Sequence, residues 1–97
     1  MMIAALVTVE LHVPAATGLK AKRAVVKSLV ADLRNGLNVS VAEIDHHDLW
    51  QRATLGVAIA AGSEIGARKV AQQVEKIVYR EPRVELLAFT VDIASSE

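Results

Sequence analysis

The chain has 97 residues, of which 53% are hydrophobic, and its eleven basic side chains balance eleven acidic ones. This length suits one domain and is too short for two, and the absence of cysteine excludes disulfides and thiolate metal or redox sites. Zero net charge argues against strong non-specific nucleic-acid binding by the whole chain, although it leaves room for a local basic patch.

The first predicted elements are a strand and a helix. Apolar and polar residues alternate over 3–13, and this period of two predicts a strand with one buried face, ended by Pro14. The apolar period then changes to that of a helix over 18–35. Thr17 is the predicted N-cap, and the Asn35-Gly36 pair is a strong signal for the end of the helix.

The second half of the chain repeats this order. Residues 38–46 predict a strand with a change of phase, which a bulge near Val41 and Ala42 would explain. A third strand is predicted over 52–61. Ser63 is expected to cap a helix over 64–80, and a last strand is expected over 83–93, followed by a frayed tail at 94–97.

The order β-α-β-β-α-β predicts a single α+β domain over 1–97 with the ferredoxin-like architecture. Right-handed crossovers place both helices on one face of a four-stranded antiparallel sheet with the order 4-1-3-2. No apolar run approaches the roughly 20 residues that a membrane helix needs. We therefore predict a cytoplasmic protein without a membrane partner.

Several activities found on this fold lack the residues they need. RNA-recognition modules need aromatic side chains on the central strands for base stacking, and residues 3–13 and 52–61 contain none. A metal-carrying domain of this fold would need a cysteine pair. An acylphosphatase-like enzyme would need an arginine in the first loop and an asparagine near the third strand, and neither is present. We therefore predict no enzymatic activity and no cofactor.

The start of the first helix is unusually basic. Lys20, Arg23, Lys27 and Arg34 fall within about 60° of one another at 100° per residue, and Lys22 adds another cation near the helix start. Exposed cations in a first turn oppose the helix dipole and cost roughly 0.3–1 kcal/mol each. These five residues are the predicted anion- or RNA-binding site. The alternative is a solvated face partly neutralised by acidic side chains, namely Glu10, Glu43 or Asp45.

The segment from Glu43 to Arg52 is the second unusual feature, because it contains Asp45-His46-His47-Asp48 and the only tryptophan. Neighbouring residues on a strand point to opposite faces, so the two histidines are not expected to share a metal ion. We expect Glu43 or Asp45 to pair with Arg52 across the hairpin. Trp50 either fills the end of the core or anchors a partner, and the predicted partner-contact residues are Trp50, Arg52 and Asp45.

Two stretches resemble the YlxP-like family of small bacterial proteins. They are GLKAKRAVVKSL at residues 18–29 and VSVAEIDHHDLWQRATLGVA at residues 39–58. The resemblance extends over nearly the whole chain and implies a ferredoxin-like fold with no established activity. Members of the family are often encoded beside translation-initiation and ribosome-binding factors, which implies work on RNA or the ribosome.

The leading hypothesis is a non-enzymatic protein that docks the basic face of its first helix on RNA or a ribosomal surface. One alternative is a small dimeric regulatory domain with a ligand in the first strand–helix loop, Pro14–Lys20. Another is a structural subunit that binds protein through its uncovered sheet face. We also expect a homodimer, stabilised by Trp50, through the second strand, which is an open edge without proline or lysine, or through the sheet face.

Overall fold

The alternating segment at the start of the chain forms the centre of the sheet. A computed structural model describes residues 1–97, with the elements β1 (Ile3–His12), α1 (Leu19–Gly36), β2 (Ser40–Asp45), β3 (Arg52–Ala61), α2 (Glu64–Tyr79) and β4 (Glu85–Ser95). The strands form one antiparallel sheet in the order β2-β3-β1-β4. This confirms the predicted ferredoxin-like fold and strand order.

One face of the sheet is covered by both helices. The alternate β1 side chains that point to this face are at most 7% exposed, and they are Ile3, Ala5, Val7, Val9 and Leu11. Leu29 and Leu33 of α1 and Val74 and Val78 of α2 complete the same cluster. No helix covers the opposite face, which we call the outer sheet face. Neither helix has the length and apolar character needed to cross a membrane.

The two helices begin in different ways. Ser63 caps α2 as predicted, because its Oγ accepts a hydrogen bond from the Gly66 N–H at 3.1 Å. The predicted Thr17 cap is wrong. Helix α1 begins at Leu19, and its N-cap is Gly18, which is extended and has no side chain to offer. The first N–H groups of α1 are therefore left without a side-chain acceptor.

Two strand irregularities differ from the sequence prediction. The β2–β3 register shifts between Glu43 and Asp45, so the irregular residue is Ile44 and not the Val41-Ala42 pair. This places Glu43 opposite Leu55, on the face that the helices cover. In β4, for which the sequence predicted no irregularity, the register shifts at Leu87, which is 51% exposed.

The C-terminal tail is more ordered than predicted. Strand β4 continues to Ser95, which pairs with Ile3. The Ser96 N–H then donates to the Met2 carbonyl at 2.9 Å, and the Met2 N–H donates to the Ser96 hydroxyl at 2.7 Å. The prediction of a frayed tail is therefore wrong for residues 94–96.

The β2 edge is partly closed by the chain's own side chains. Arg34 Nη2 donates to the Val41 carbonyl at 2.8 Å, and His47 Nε2 lies 3.1 Å from the Glu43 carbonyl. Occupied carbonyls and nearby charges make an edge strand a poorer template for another strand. The β2 edge is thus less open to pairing with another strand than expected. The residues responsible are Arg34 and His47 and not a proline or lysine.

An ion pair between the buried Glu81 carboxylate and the exposed Arg83 side chain joins the loop after α2 to α1. Glu81 is 9% exposed, and its two carboxylate oxygens accept from Arg83 Nε at 2.8 Å and Arg83 Nη2 at 2.7 Å. Arg83 Nη2 also donates to the Ser28 hydroxyl of α1 at 3.1 Å. The Arg83 hydrogen bonds lower the pKa of Glu81 from 4.5 to about 2, against the opposing effect of burial.

This pair predicts an acid-dependent loss of stability. Because the folded-state pKa lies below the unfolded one, the stabilisation is fully present above pH 4.5 and is lost as the pH falls toward 2. Chemical denaturation across this range should show a smaller pH dependence of the unfolding free energy for Glu81→Gln than for the wild type. Glu97→Gln, at the exposed C-terminus, should keep the wild-type dependence, and an unchanged slope for Glu81→Gln would contradict the assignment.

Candidate functional site

Lys22 is fully buried and joins helix α1 to strand β2 and to the loop that follows this strand. Its Nζ donates to Glu43 Oε2 at 3.1 Å, to the His46 carbonyl at 2.8 Å and to the His47 carbonyl at 3.1 Å. An ammonium group has three N–H donors, so this set satisfies all of them. Lys22 therefore has no donor left for an external anion, and its assignment to the anion site is wrong.

The position of Lys22 on the helix explains its burial. At 100° per residue it lies on the same side as Val26, Leu29 and Leu33, which follow it by four, seven and eleven residues. The sequence therefore did indicate that Lys22 is buried, because this lysine lies at the centre of an apolar stripe. The indication was missed because lysine is usually a surface residue. Because Glu43 points to the same layer, the buried charge meets a carboxylate that is only 18% exposed.

The loop between β2 and β3 presents its carbonyls to Lys22 through an unusual backbone conformation. His46 has φ 63°, which is uncommon for a residue other than glycine. Its N–H bonds to Asp45 Oδ1 at 2.7 Å, and its carbonyl also accepts from the Leu49 N–H at 3.1 Å. Asp45, a predicted partner contact, thus has a local role in shaping this turn.

A polar cluster lies on the outer sheet face beside the same loop. The Thr54 hydroxyl donates to Glu10 Oε2 at 2.8 Å, so it accepts from His46 Nδ1, which lies 2.8 Å away and must carry a proton. Arg52 Nη2 donates to the same Glu10 oxygen at 3.3 Å. The expected pairing of Arg52 with Glu43 or Asp45 is therefore wrong.

The polar side chains of this cluster are buried or already engaged with partners within the chain. Thr54 is 3% exposed, so its hydroxyl is not accessible as a nucleophile. His46 and His47 use ring nitrogens on different partners, Thr54 and the Glu43 carbonyl. No three histidine, aspartate or glutamate side chains converge on a point where a metal ion could sit.

Three of the four remaining cations of α1 have no partner within the chain. Lys20, Arg23 and Lys27 are exposed and take part in no ion pair or side-chain hydrogen bond, and we call these three residues the α1 basic face. They follow one another by three and four residues and extend about 10 Å along the helix. Arg34 continues the same stripe, but one of its nitrogens is bonded to the β2 edge.

Charge is divided between the two layers of the molecule. The helices carry eight lysines and arginines against three acidic residues, whereas the strands and loops carry three against eight. A zero net charge therefore conceals a positive helical layer and a negative sheet side. The α1 basic face lies within the positive layer, where no acidic residue occurs in the first turn.

Trp50 and the first loop have simpler environments. Trp50 is 55% exposed, so it does not fill the end of the core and is available to a partner. The neighbouring Gln51 joins its loop to the first strand–helix loop. Its Nε2 donates to the Pro14 carbonyl at 3.0 Å and the Ala16 carbonyl at 3.4 Å, while its own carbonyl accepts from the Val13 N–H at 2.9 Å.

Fold and charge layout together define a small α/β sandwich with a basic helical layer and an uncovered sheet face. The chain belongs to the family described as "Protein of unknown function (DUF503)", whose model matches residues 4–91. It is 37% identical over 70 residues to the uncharacterized protein YlxP of Bacillus subtilis (strain 168), and the match covers 72% of this chain and 76% of that protein. These matches confirm the family resemblance seen in the sequence.

Solved structures support the fold. A de novo designed protein with a ferredoxin fold, determined by NMR, is 15% identical with a TM-score of 0.56, and the alignment covers 97% of this chain and 88% of that one. A second designed protein, Foldit4, is 9% identical with a TM-score of 0.57 over the full length of both chains.

The buried lysine predicts a large difference between neighbouring lysines. Lys22→Met leaves the Glu43 carboxylate and two loop carbonyls without their donor, and breaking a buried pair in this way costs about 3–5 kcal/mol of unfolding free energy. Lys20→Met, two residues earlier and exposed, should leave stability unchanged or raise it by about 0.3–1 kcal/mol, because it removes a cation near the helix N-terminus.

Urea denaturation of both variants measures these changes. The double variant Lys22→Met/Glu43→Leu should lose less stability than Lys22→Met alone, because it removes the uncompensated carboxylate as well. Equal stability losses for Lys20→Met and Lys22→Met would contradict the structural role of Lys22.

Proposed function

We propose that this chain is a non-catalytic RNA-binding protein that contacts the sugar–phosphate backbone of ribosomal RNA through the α1 basic face. The observation that carries the proposal is the exposure of Lys20, Arg23 and Lys27 without any partner within the chain. Lys20 lies in the first turn of α1 and opposes the helix dipole, so this unpaired cation is unfavourable for the isolated protein and becomes favourable beside phosphates.

The surroundings of the α1 basic face support an anionic partner. Gly18 leaves the first N–H groups of α1 without a side-chain cap, and the positive end of the helix dipole lies at the same place. The excess of cations on both helices extends the positive potential beyond the three residues. A polyanion at the α1 basic face would therefore meet three direct cationic contacts, with a weaker positive contribution from α2.

The distribution of aromatic residues favours recognition of the backbone over recognition of bases. Trp50 lies in a loop, Tyr79 lies at the end of α2, and Phe89 faces the helix-covered side of β4. The outer sheet face thus has no aromatic platform on which bases could stack. Binding of this kind depends weakly on sequence and strongly on salt.

A small-molecule site in the first strand–helix loop has less support. The carbonyls of Pro14 and Ala16 already accept from Gln51, and Ala16 is 5% exposed. A ligand would have to displace these internal bonds, whereas an RNA backbone can reach the α1 basic face without any rearrangement.

The test compares two triple variants that remove the same charge from different helices. Lys20, Arg23 and Lys27 changed together to Gln should weaken binding to isolated small and large ribosomal subunits. The slope of log affinity against log salt should also become shallower, by about 0.7–0.9 for each phosphate that the variant no longer neutralises. Folding stability should hold or rise slightly, because unfavourable dipole interactions are removed.

The matched control changes Lys69, Lys76 and Arg80 to Gln, which are exposed residues of α2 and its C-terminal end. This variant should retain most of the affinity and the salt slope. Binding through the α1 basic face would be contradicted if the affinity of the wild type did not depend on salt. It would also be contradicted if both triple variants lost the same amount of affinity. Capture of ribosomal subunits from extract that survives nuclease treatment would point to a protein partner in place of RNA.

A further inference from the structure

The outer sheet face carries large apolar side chains in an unusual place. Leu6 projects from β1, a central strand, and is 50% exposed; Ile44 projects from the β2 irregularity and is 53% exposed. Exposed apolar residues are ordinary at the margin of a sheet. Leu6 is unusual because it is half exposed on a central strand, and no element of this fold covers it. Apolar patches of this kind mark interaction surfaces.

Small residues lie between these two side chains. Leu6 is opposite Ala58 in the β1–β3 pairing, and the next pair on this face is Thr8 with Gly56. Ile44 lies over Gly56, where a Cβ atom would be 3.1 Å from Ile44 Cγ2. The result is a shallow groove whose walls are Leu6 and Ile44 and whose floor is Gly56, Ala58 and Ala42.

Such a surface is complementary to itself. A two-fold interface brings the same patch of two copies together, so each copy can insert a wall residue into the groove of the other. We propose that the outer sheet face is a homodimer interface, in which Leu6 of each copy packs into the groove formed by Leu6, Ile44 and Gly56 of its partner.

The charges on this face agree with a second copy as the occupant. Ala4, Leu6 and Thr8 of β1, together with the residues paired with them across the sheet, form the centre of this face. The only charged side chain among them is Asp92, which lies on the β4 edge and therefore at the rim. At the end of the face, Glu10 is already paired with Arg52. An apolar, neutral centre with internally neutralised ends would not select a strongly charged partner, and it would allow two identical faces to meet without repulsion.

The size of the face is sufficient for a dimer. Three strands of about 33 Å and the shorter β2 of about 20 Å, at about 4.8 Å spacing, present roughly 570 Å² per copy, or about 1,140 Å² in total. This exceeds the roughly 1,000 Å² that a specific interface needs. Pairing through the β2 edge is less favoured, because Arg34 and His47 already occupy two of its carbonyls. The inference is independent of RNA binding, since the α1 basic face lies on the opposite side of the sheet.

Sedimentation equilibrium of the full chain tests the interface. The wild type should dimerise in the micromolar range, and Leu6→Glu should raise the dimer dissociation constant at least about tenfold, because each copy would bury an unpaired carboxylate. Ile65→Glu makes the same kind of change at a residue that is 70% exposed on α2, and it should leave the dissociation constant unchanged. Circular dichroism checks that both variants remain folded.

Cross-linking gives a second measurement that does not depend on a destabilising substitution. Because the chain has no cysteine, Thr8→Cys places a single thiol at the centre of the outer sheet face, and Gln72→Cys places one on exposed α2. A short thiol-to-thiol cross-linker should yield covalent dimers of Thr8→Cys at concentrations where Gln72→Cys stays monomeric. The proposal is overturned if the wild type is monomeric up to about 100 μM. It is also overturned if the Leu6→Glu variant still dimerises, or if the outer sheet face binds only a different ligand or protein.

Discussion

The arrangement of this molecule depends on one buried cation. Lys22 lies in the interior between α1 and the sheet, and its three hydrogen bonds reach one carboxylate and two loop carbonyls. An ammonium in an apolar layer is tolerated only when each donor is satisfied, so the positions of Glu43 and of the loop backbone are coupled to that of the helix. The left-handed conformation of His46 is part of the same arrangement, because it shapes the turn whose carbonyls Lys22 needs.

This constraint divides the basic residues of α1 into two groups. The rotation that turns Lys22 inward turns Lys20, Arg23 and Lys27 outward, because these residues lie on the other side of the helix. Arg34 lies on the outward stripe as well, but its guanidinium is bonded to the β2 edge. A cluster that looked uniform by residue type thus consists of one cation that organises the fold, one that closes a strand edge, and three that are free for a partner.

Much of the fold could be predicted because its signals are local. The alternation in β1, the helical stripes and the Ser63 cap each depend on residues near one another in the chain, and each was confirmed. The bulge at Ile44 was predicted at the wrong position, and the one at Leu87 was not predicted, because a register shift depends on the partner strand. The candidate functional site was harder to predict than the fold. Lysine is ordinarily a surface residue, so Lys22 was grouped with its neighbours by type, although its spacing from Leu29 and Leu33 already placed it in the apolar stripe.

The separation of charge between helices and sheet gives the molecule a large electric dipole moment with almost no monopole. A polyanion exerts little net force on such a body at long range, but its electric field rotates the body until the positive layer leads, and the gradient of that field attracts the aligned body. Orientation can therefore precede contact, with the sheet side facing away from the polyanion. The effect acts within about one Debye length, roughly 8 Å at physiological ionic strength, so it selects the docking pose of nearby molecules without recruiting distant ones.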